Sequence, residues 1–389
     1  MVKAHPPYTK RMRLFMKREN GLQFKNVVAR VICAALISIG WLGWCEQQEA
    51  VNWCDVSDFW ASPTESKMTF VDLFCGAGGL SKGLEFAGLK GVCGLDYFEA
   101  AERTYRRNFT HQYVNGDVTI PEVRSNLYRI VREELHGERL GVIVGGFPCQ
   151  GFSMAGNRVV NDPRNSLYRD MVEIVNELKP DFVVCENVKG LRSMLGGAVE
   201  KKIVADYKAI GYEMKVATLC AADYYVPQKR ERVIFIGNRI GRENYHPKPL
   251  LSSDQYVTVE QAIGDLTNRC EDAAFNHIFT KHRSDMVERM RKLKEGESVY
   301  DNYSEAWRRC SWKQPSPTVK ENHGGVMVHP ILPRVMTVRE LARLQSFPDD
   351  FLFEGGKSQQ LIQVGNAVPV LLGKAIGLSL RCSAGELKE

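Results

Sequence analysis

From Met68 onward the chain alternates two hydrophobic periods. Short apolar runs at Thr69–Phe74, Gly91–Leu95, Gly141–Gly145, Asp181–Cys185 and Val233–Ile236 have the length of strands. Between them, Ser81–Ala87, Ala100–Asn108 and Asp170–Leu178 carry helical spacing, and one more strand is expected to end at Asp117. Strand and helix in alternation predict an α/β fold, a mostly parallel sheet with helices on both faces. Ligands of such sheets sit at the carboxyl ends of the strands, so the residues that follow each run are the functional candidates.

The rhythm breaks near Pro247. Residues 249–360 hold few strand signals and many polar, basic and aromatic residues. Within them Lys281–Lys294 predicts an amphipathic helix with Met286, Met290 and Leu293 on one face. Its Arg289, Arg291, Lys292 and Lys294 read as a solvated face or, more sharply, as phosphate contacts. The apolar pattern returns at Leu361–Leu380. No internal repeat or low-complexity segment is present.

The first 66 residues follow neither pattern. Residues 1–30 carry eight Lys/Arg and one acid, while 31–66 carry no Lys or Arg and five acids. The apolar run Val31–Cys45 is short for a membrane span. It resembles a signal peptide only loosely, since no small-residue cleavage site follows. A docking helix is an equal reading. The third is a dispensable extension, with the working domain beginning at Met68.

Composition narrows the class only a little. At 44% hydrophobic and 25% charged residues the 389-residue chain is ordinary globular protein. A formal charge of +6 permits nucleic-acid binding without demanding it. Eleven cysteines are scattered from Cys33 to Cys382 with no Cys-x-x-Cys pair. That excludes a disulfide framework and a zinc site from the expectations, and points to a reducing, cytoplasmic compartment with no metal.

Four strand ends carry candidate chemistry. The first is Asp72-Leu73-Phe74-Cys75-Gly76-Ala77-Gly78-Gly79-Leu80, where glycines let the backbone approach a ligand closely. Asp96 ends the next strand and can accept ribose hydroxyls; Asp117, with Val118 after it, can meet an adenine amino group. Glycine turns of this kind serve NAD enzymes, flavoproteins and methyltransferases alike, and also occur as plain structural turns. The second is Pro148-Cys149-Gln150-Gly151-Phe152-Ser153, followed by a Gly/Asn/Arg-rich loop to Asn165. Cys149 reads as a nucleophile or as a packing residue. In the third, Cys185-Glu186-Asn187-Val188, the acid must be paired or desolvated, unless it is a cap. The fourth is Gln228-Lys229-Arg230-Glu231-Arg232, whose arginines suit phosphate or carbonyl oxygens, or form a surface cluster.

Taken in order, these motifs resemble the DNA (cytosine-5)-methyltransferase family. Two later blocks match it as well, Arg334–Pro348 and Gly365-Asn366-Ala367-Val368-Pro369, so that the resemblance covers about 68 to 381. It implies a Rossmann-like S-adenosylmethionine-dependent methyltransferase fold with a smaller, mixed target-recognition domain. Residues 67–248, completed by 361–389, become the catalytic domain, 249–360 the recognition domain, and 1–66 an N-terminal extension.

The implied roles are specific. Cys149 adds to carbon 6 of cytosine, Glu186 donates at ring nitrogen 3, and Arg232 meets the carbonyl oxygen. Arg230 supports the loop or a phosphate. Phe74, Gly76, Gly78, Gly79, Asp96, Asp117, Val118, Leu167 and Asn366 surround S-adenosyl-L-methionine. The partner is double-stranded DNA with the target base flipped out. The compact layout is of the bacterial or phage type, often paired with a restriction endonuclease as a functional rather than physical partner. A monomer without membrane insertion is expected.

Competing readings are a tRNA cytosine-5 methyltransferase, whose usual Cys-Phe-Thr tripeptide is absent from 249–360, a catalytically silent DNA-binding regulator, and a dinucleotide oxidoreductase. Arg269, Asn276, Lys281, Arg308, Arg309 and Lys313 are candidates for reading base edges.

Overall fold

The computed structural model describes residues 51–62, 64–148, 167–301, 306–321 and 326–387. The apolar runs form the expected sheet. Its strands are β2 (Thr69–Leu73), β3 (Lys90–Asp96), β4 (Gln112–Asn115), β5 (Val142–Gly145), β6 (Phe182–Val188), β7 (Glu213–Cys220) and β8 (Glu231–Asn238). Their spatial order is β4-β3-β2-β5-β6-β8-β7. Every residue of β2 and β5 is buried, as helices on both faces require. The pairings from β4 across to β6 are all parallel, whereas β8 runs antiparallel to both β6 and β7. The start of β8 therefore lies beside the end of β6, with Arg232 opposite Val188.

Five helices link these strands: α1 (Gly79–Phe86), α2 (Glu99–Asn108), α3 (Pro121–Leu135), α4 (Leu167–Leu178) and α5 (Ala198–Ala209). Beyond the sheet come α6 (Val259–Ile263), α7 (Ser284–Lys292), α8 (Val338–Leu344), α9 (Lys357–Asn366) and α10 (Val370–Ser383). Met290 of α7 is buried, with Met286 and Leu293 packed beside it, as the amphipathic pattern predicts. Residues 357–383 are apolar enough to cross a membrane, but Ala367–Pro369 breaks the run and 83% of its most apolar window is buried in the protein. It is a core element that packs on α1. Two hydrophobic clusters flank the sheet. One joins α3, α4 and α5 to it, and the other joins Tyr105 and Phe109 to residues of 259–370. All of this falls within one compact unit, Val51–Glu389.

The structure carries the compact unit upstream of Met68, to Val51. Strand β1 (Asn52–Cys54) pairs in parallel with β9 (Tyr245–Pro247). Phe59 is buried, stacks on Tyr225 at 5.8 Å, and lies under the Lys374 ammonium at 5.0 Å. Arg381 donates to the Thr64 carbonyl at 2.9 Å, and Ser66 donates to Glu386 at 2.7 Å. Sequence reading missed this segment because three-residue strands carry no period and the aromatic pair Phe59-Trp60 stands alone.

A chain begun at Met68 is therefore expected to be less stable than one begun at Val51. Removing Phe59 alone, as Phe59→Ala, should cost about 3–5 kcal/mol by the usual penalty for emptying an aromatic core site. Urea unfolding of the two truncations and the point variant checks this. A loss under about 1 kcal/mol for Phe59→Ala would mean the segment is not integral.

Candidate active site

The carboxyl ends of adjacent strands bring the candidates into a row. Across the sheet they run Asp117 after β4, Asp96 at the end of β3, Phe74 after β2, Pro148 after β5, Glu186 in β6 and Arg232 in β8. Connections leave β2 toward β3 on one side, while β5 lies on its other side. The row thus straddles the point where strand order reverses, the usual place for a ligand crevice. Residues 149–166, including Cys149, lie outside the described residues.

On the first side of the crevice, Phe74 and Gly76 both adopt left-handed conformations, with φ of 58° and 51°. Among the described residues a Cβ on Gly76 would meet nothing within 4 Å. The other two glycines are required by the protein itself. A Cβ on Gly78 would stand 2.4 Å from the Phe109 ring, and one on Gly79 2.3 Å from the Val368 carbonyl oxygen. The latter contact seats the Gly365–Pro369 block against the glycine turn. Asn366 is exposed at the end of α9, Leu167 is half-buried at the start of α4, and Val118 is buried.

Asp96 accepts the Gly76 N–H and the Phe98 N–H, each at 2.9 Å, one on each carboxylate oxygen. Each oxygen keeps a lone pair for a further donor. Burial raises the Asp96 carboxyl above its ordinary range, and the Phe98, Gly76 and Tyr97 main-chain bonds oppose that rise. Asp117 caps its own turn, accepting both the N–H and hydroxyl of Thr119. Sequence reading overlooked Tyr97, 74% exposed directly after Asp96, and the exposed Ile120 ahead of α3. An aromatic following a strand-end acid was the available signal, and large exposed apolar groups at a crevice are what a flat base requires.

On the other side, Glu186 and Arg232 form an ion pair, with Oε1 and Nε 2.8 Å apart. Both side chains are only about one-eighth exposed, at 12% and 13%. The second oxygen, Oε2, faces the backbone of Gly146, where an added Cβ would approach to 3.0 Å. Asn187 donates to the Phe147 carbonyl at 2.9 Å and so ties the end of β6 to the segment entering Pro148.

Arg230 has a different setting. It is buried, donating to the carbonyls of Val319 at 3.0 Å and Gly365 at 3.4 Å, and burial pulls its guanidinium down to about 9. Gln228 donates to the Leu344 carbonyl and to Gln345 Oε1, and accepts the Val319 N–H. Gln345 donates in turn to the carbonyls of Val364 and Ala367. Three motifs far apart in sequence thereby close on one another.

With this geometry in hand, comparison with known proteins is decisive. The sequence model of C-5 cytosine-specific DNA methylases matches residues 68–382. This chain belongs to that family. Type II methyltransferase M1.HphI of Haemophilus parahaemolyticus is 38% identical over 324 residues, covering 79% of this chain and 85% of the relative. Type II methyltransferase M.NgoFVII of Neisseria gonorrhoeae is 34% identical over 329 residues, covering 79% and 84%. Among solved structures, a prophage-encoded DNA modification methyltransferase of E. coli superposes with a TM-score of 0.67 at 25% identity, over 82% of this chain and all of that one. The protein is a DNA (cytosine-5)-methyltransferase that uses S-adenosylmethionine, on the α/β methyltransferase fold expected from its strand pattern.

Within this methyltransferase the recognition candidates divide. Asn276 is buried with its amide engaged on both the N–H and carbonyl of Phe353, and Arg309 is buried on the carbonyls of His329, Pro330 and Met290. Both side chains are turned into the protein and not toward a base edge, a correction to the sequence reading. Along α7, Arg291 and Lys292 pair with Glu288, and Arg283 with Asp285. That pairing favours the solvated-face reading of the basic helix.

Gln345→Ala should destabilise the methyltransferase by about 2–4 kcal/mol, since it leaves buried carbonyls without donors. A double-mutant cycle with Gln228→Ala should give a coupling of about 1–3 kcal/mol, measured by denaturant unfolding. Additive losses would refute the clamp.

Proposed function

We propose that this enzyme methylates a flipped cytosine in a specific double-stranded DNA sequence through a covalent adduct on Cys149. The observation that carries the reading is the Glu186–Arg232 pair, beside the strand whose end leads to Pro148 and Cys149. Carbon 5 of cytosine is a weak nucleophile. Addition of the Cys149 thiolate to carbon 6 turns the ring into an enamine whose carbon 5 can attack an electrophile. Protonated Glu186 donates to ring nitrogen 3 as charge develops there, and Arg232 donates to the ring carbonyl oxygen. After transfer a base takes the carbon 5 proton, and the thiolate then leaves.

S-adenosylmethionine, when bound, supplies a methyl group activated by its sulfonium. The residues suited to hold it are Phe74, Gly76 and the adjoining Gly78-Gly79 turn, Asp96, Asp117, Val118, Leu167 and Asn366, to which the geometry adds Tyr97 and Ile120. Room at Gly76 among the described residues and the spare lone pairs of Asp96 fit a nucleoside there. Arg230 fits the role of a support for the loops at Val319 and Gly365. Residues 67–248 with 361–389 form the catalytic portion in this reading, and 249–360 the portion that recognises the target. The Type II names of the relatives support a modification enzyme working alongside a restriction endonuclease. A cytoplasmic monomer completes this reading.

Cys149→Ala should abolish turnover while leaving DNA and cofactor binding intact, and DNA carrying 5-fluorocytosine at the target should trap the wild-type enzyme covalently. Methyl transfer to tRNA but not DNA in a side-by-side radiolabel assay would overturn the substrate. Glu186→Gln should slow a single turnover by about 10²–10⁴-fold, the usual loss for a general acid. Asp96→Ala should weaken cofactor binding by about 1.5–3 kcal/mol in calorimetry, through lost charge-assisted hydrogen bonds.

A further inference from the structure

Beneath the cofactor loop lies a buried run of four side chains that the chemistry above does not use. Asp72, inside β2, accepts the Ser81 hydroxyl on Oδ2 at 2.6 Å. Ser81 Oγ is 2.8 Å from Tyr105 Oη, which is 2.7 Å from His111 Nε2. At the outer end His111 Nδ1 is 3.7 Å from Glu85 Oε1. Strand β3 clears the path. A Cβ on Gly94 would stand 2.6 Å from the Tyr105 ring, and one on Gly91 2.2 Å from the His111 ring.

The donor count allows two complete proton orders. With Asp72 ionised, His111 Nε2–H donates to Tyr105, Tyr105 to Ser81, and Ser81 to Asp72. With Asp72 protonated every bond reverses, and neutral His111 carries its proton on Nδ1. The second order holds one more proton, which enters or leaves at His111. A carboxyl sealed from water can thus exchange its proton with the surface.

We propose that ionised Asp72 is a positioning residue for S-adenosylmethionine, favouring the positive sulfonium at the Phe74–Gly79 turn, and that Ser81, Tyr105 and His111 carry away the proton it gives up. This rests on assigning that turn to the cofactor. The groups around Asp72 are Ser81 on α1, Cys75 in the turn, Asp96 on β3, and Tyr105 on α2, while Val144 faces it from β5. Glu85 and Lys82 stand at the His111 end. Among the described residues no Lys or Arg pairs with Asp72. Burial pushes its carboxyl up to about 7, against the Ser81 hydrogen bonds, and Asp96 adds to the rise. A bound cation favours the ionised form, so binding releases a proton below about pH 7 and affinity climbs with pH.

Calorimetry on the full chain tests this, with S-adenosylmethionine and its uncharged product S-adenosylhomocysteine as probes. Affinity for the sulfonium should rise by up to about eightfold from pH 6 to pH 7.5 if only the ionised form binds. The rise should be smaller for the homocysteine analogue. Asp72→Asn, confirmed folded by its melting curve, should lose the slope, and Ser81→Ala should move its midpoint to higher pH. A wild-type slope in folded Asp72→Asn overturns the proposal, and so does an unmoved midpoint in Ser81→Ala, which decides the matter if Asp72→Asn does not fold. Asp96→Ala separates the underlying assignment: unchanged affinity for both probes would mean that the turn is not the cofactor site.

Discussion

The active-site edge depends on one constraint: buried main-chain groups from distant segments must be satisfied, and a few amide and guanidinium side chains do it. Gln228, Arg230 and Gln345 serve the main chain at Val319, Leu344, Val364, Gly365 and Ala367. Apolar residues could fill the same volume but would leave those carbonyls and the Val319 N–H orphaned, at about 1–3 kcal/mol each. The polar clamp fixes both the packing and the order in which the late blocks meet the early ones.

This constraint explains what could be read from the sequence and what could not. The central strands were legible because burial on both faces gives continuous apolar runs, as in Phe70–Leu73 and Val142–Val144. The pairing of Glu186 was legible because an acid at the end of a buried strand needs a partner, which Arg232 supplies. The clamp was not, since Gln228 and Gln345 look like ordinary surface amides until their partners are known. Asn276 and Arg309 misled for the mirror-image reason. Polar residues in a polar region suggested exposure, whereas both serve carbonyls inside the second cluster.

The glycines illustrate a similar division of labour. Within one turn, a Cβ on Gly76 would meet no described residue, while Gly78 and Gly79 admit the Phe109 ring and the Val368 carbonyl. A motif that reads as a single ligand-binding signature therefore carries two packing requirements as well. The packing ones link the turn to α2 and to the far end of the chain.

The antiparallel setting of β8 has a consequence for fidelity of folding. Arg232 sits at the beginning of its strand, on the same face as Glu186 and Val188. Side chains alternate along a strand, so a slip of one residue against β6 would turn Glu231 toward Glu186 and confront two carboxylates in a half-buried site. The Glu186–Arg232 attraction thus doubles as a proofreading mark for strand alignment, rewarding one register and repelling its nearest neighbour.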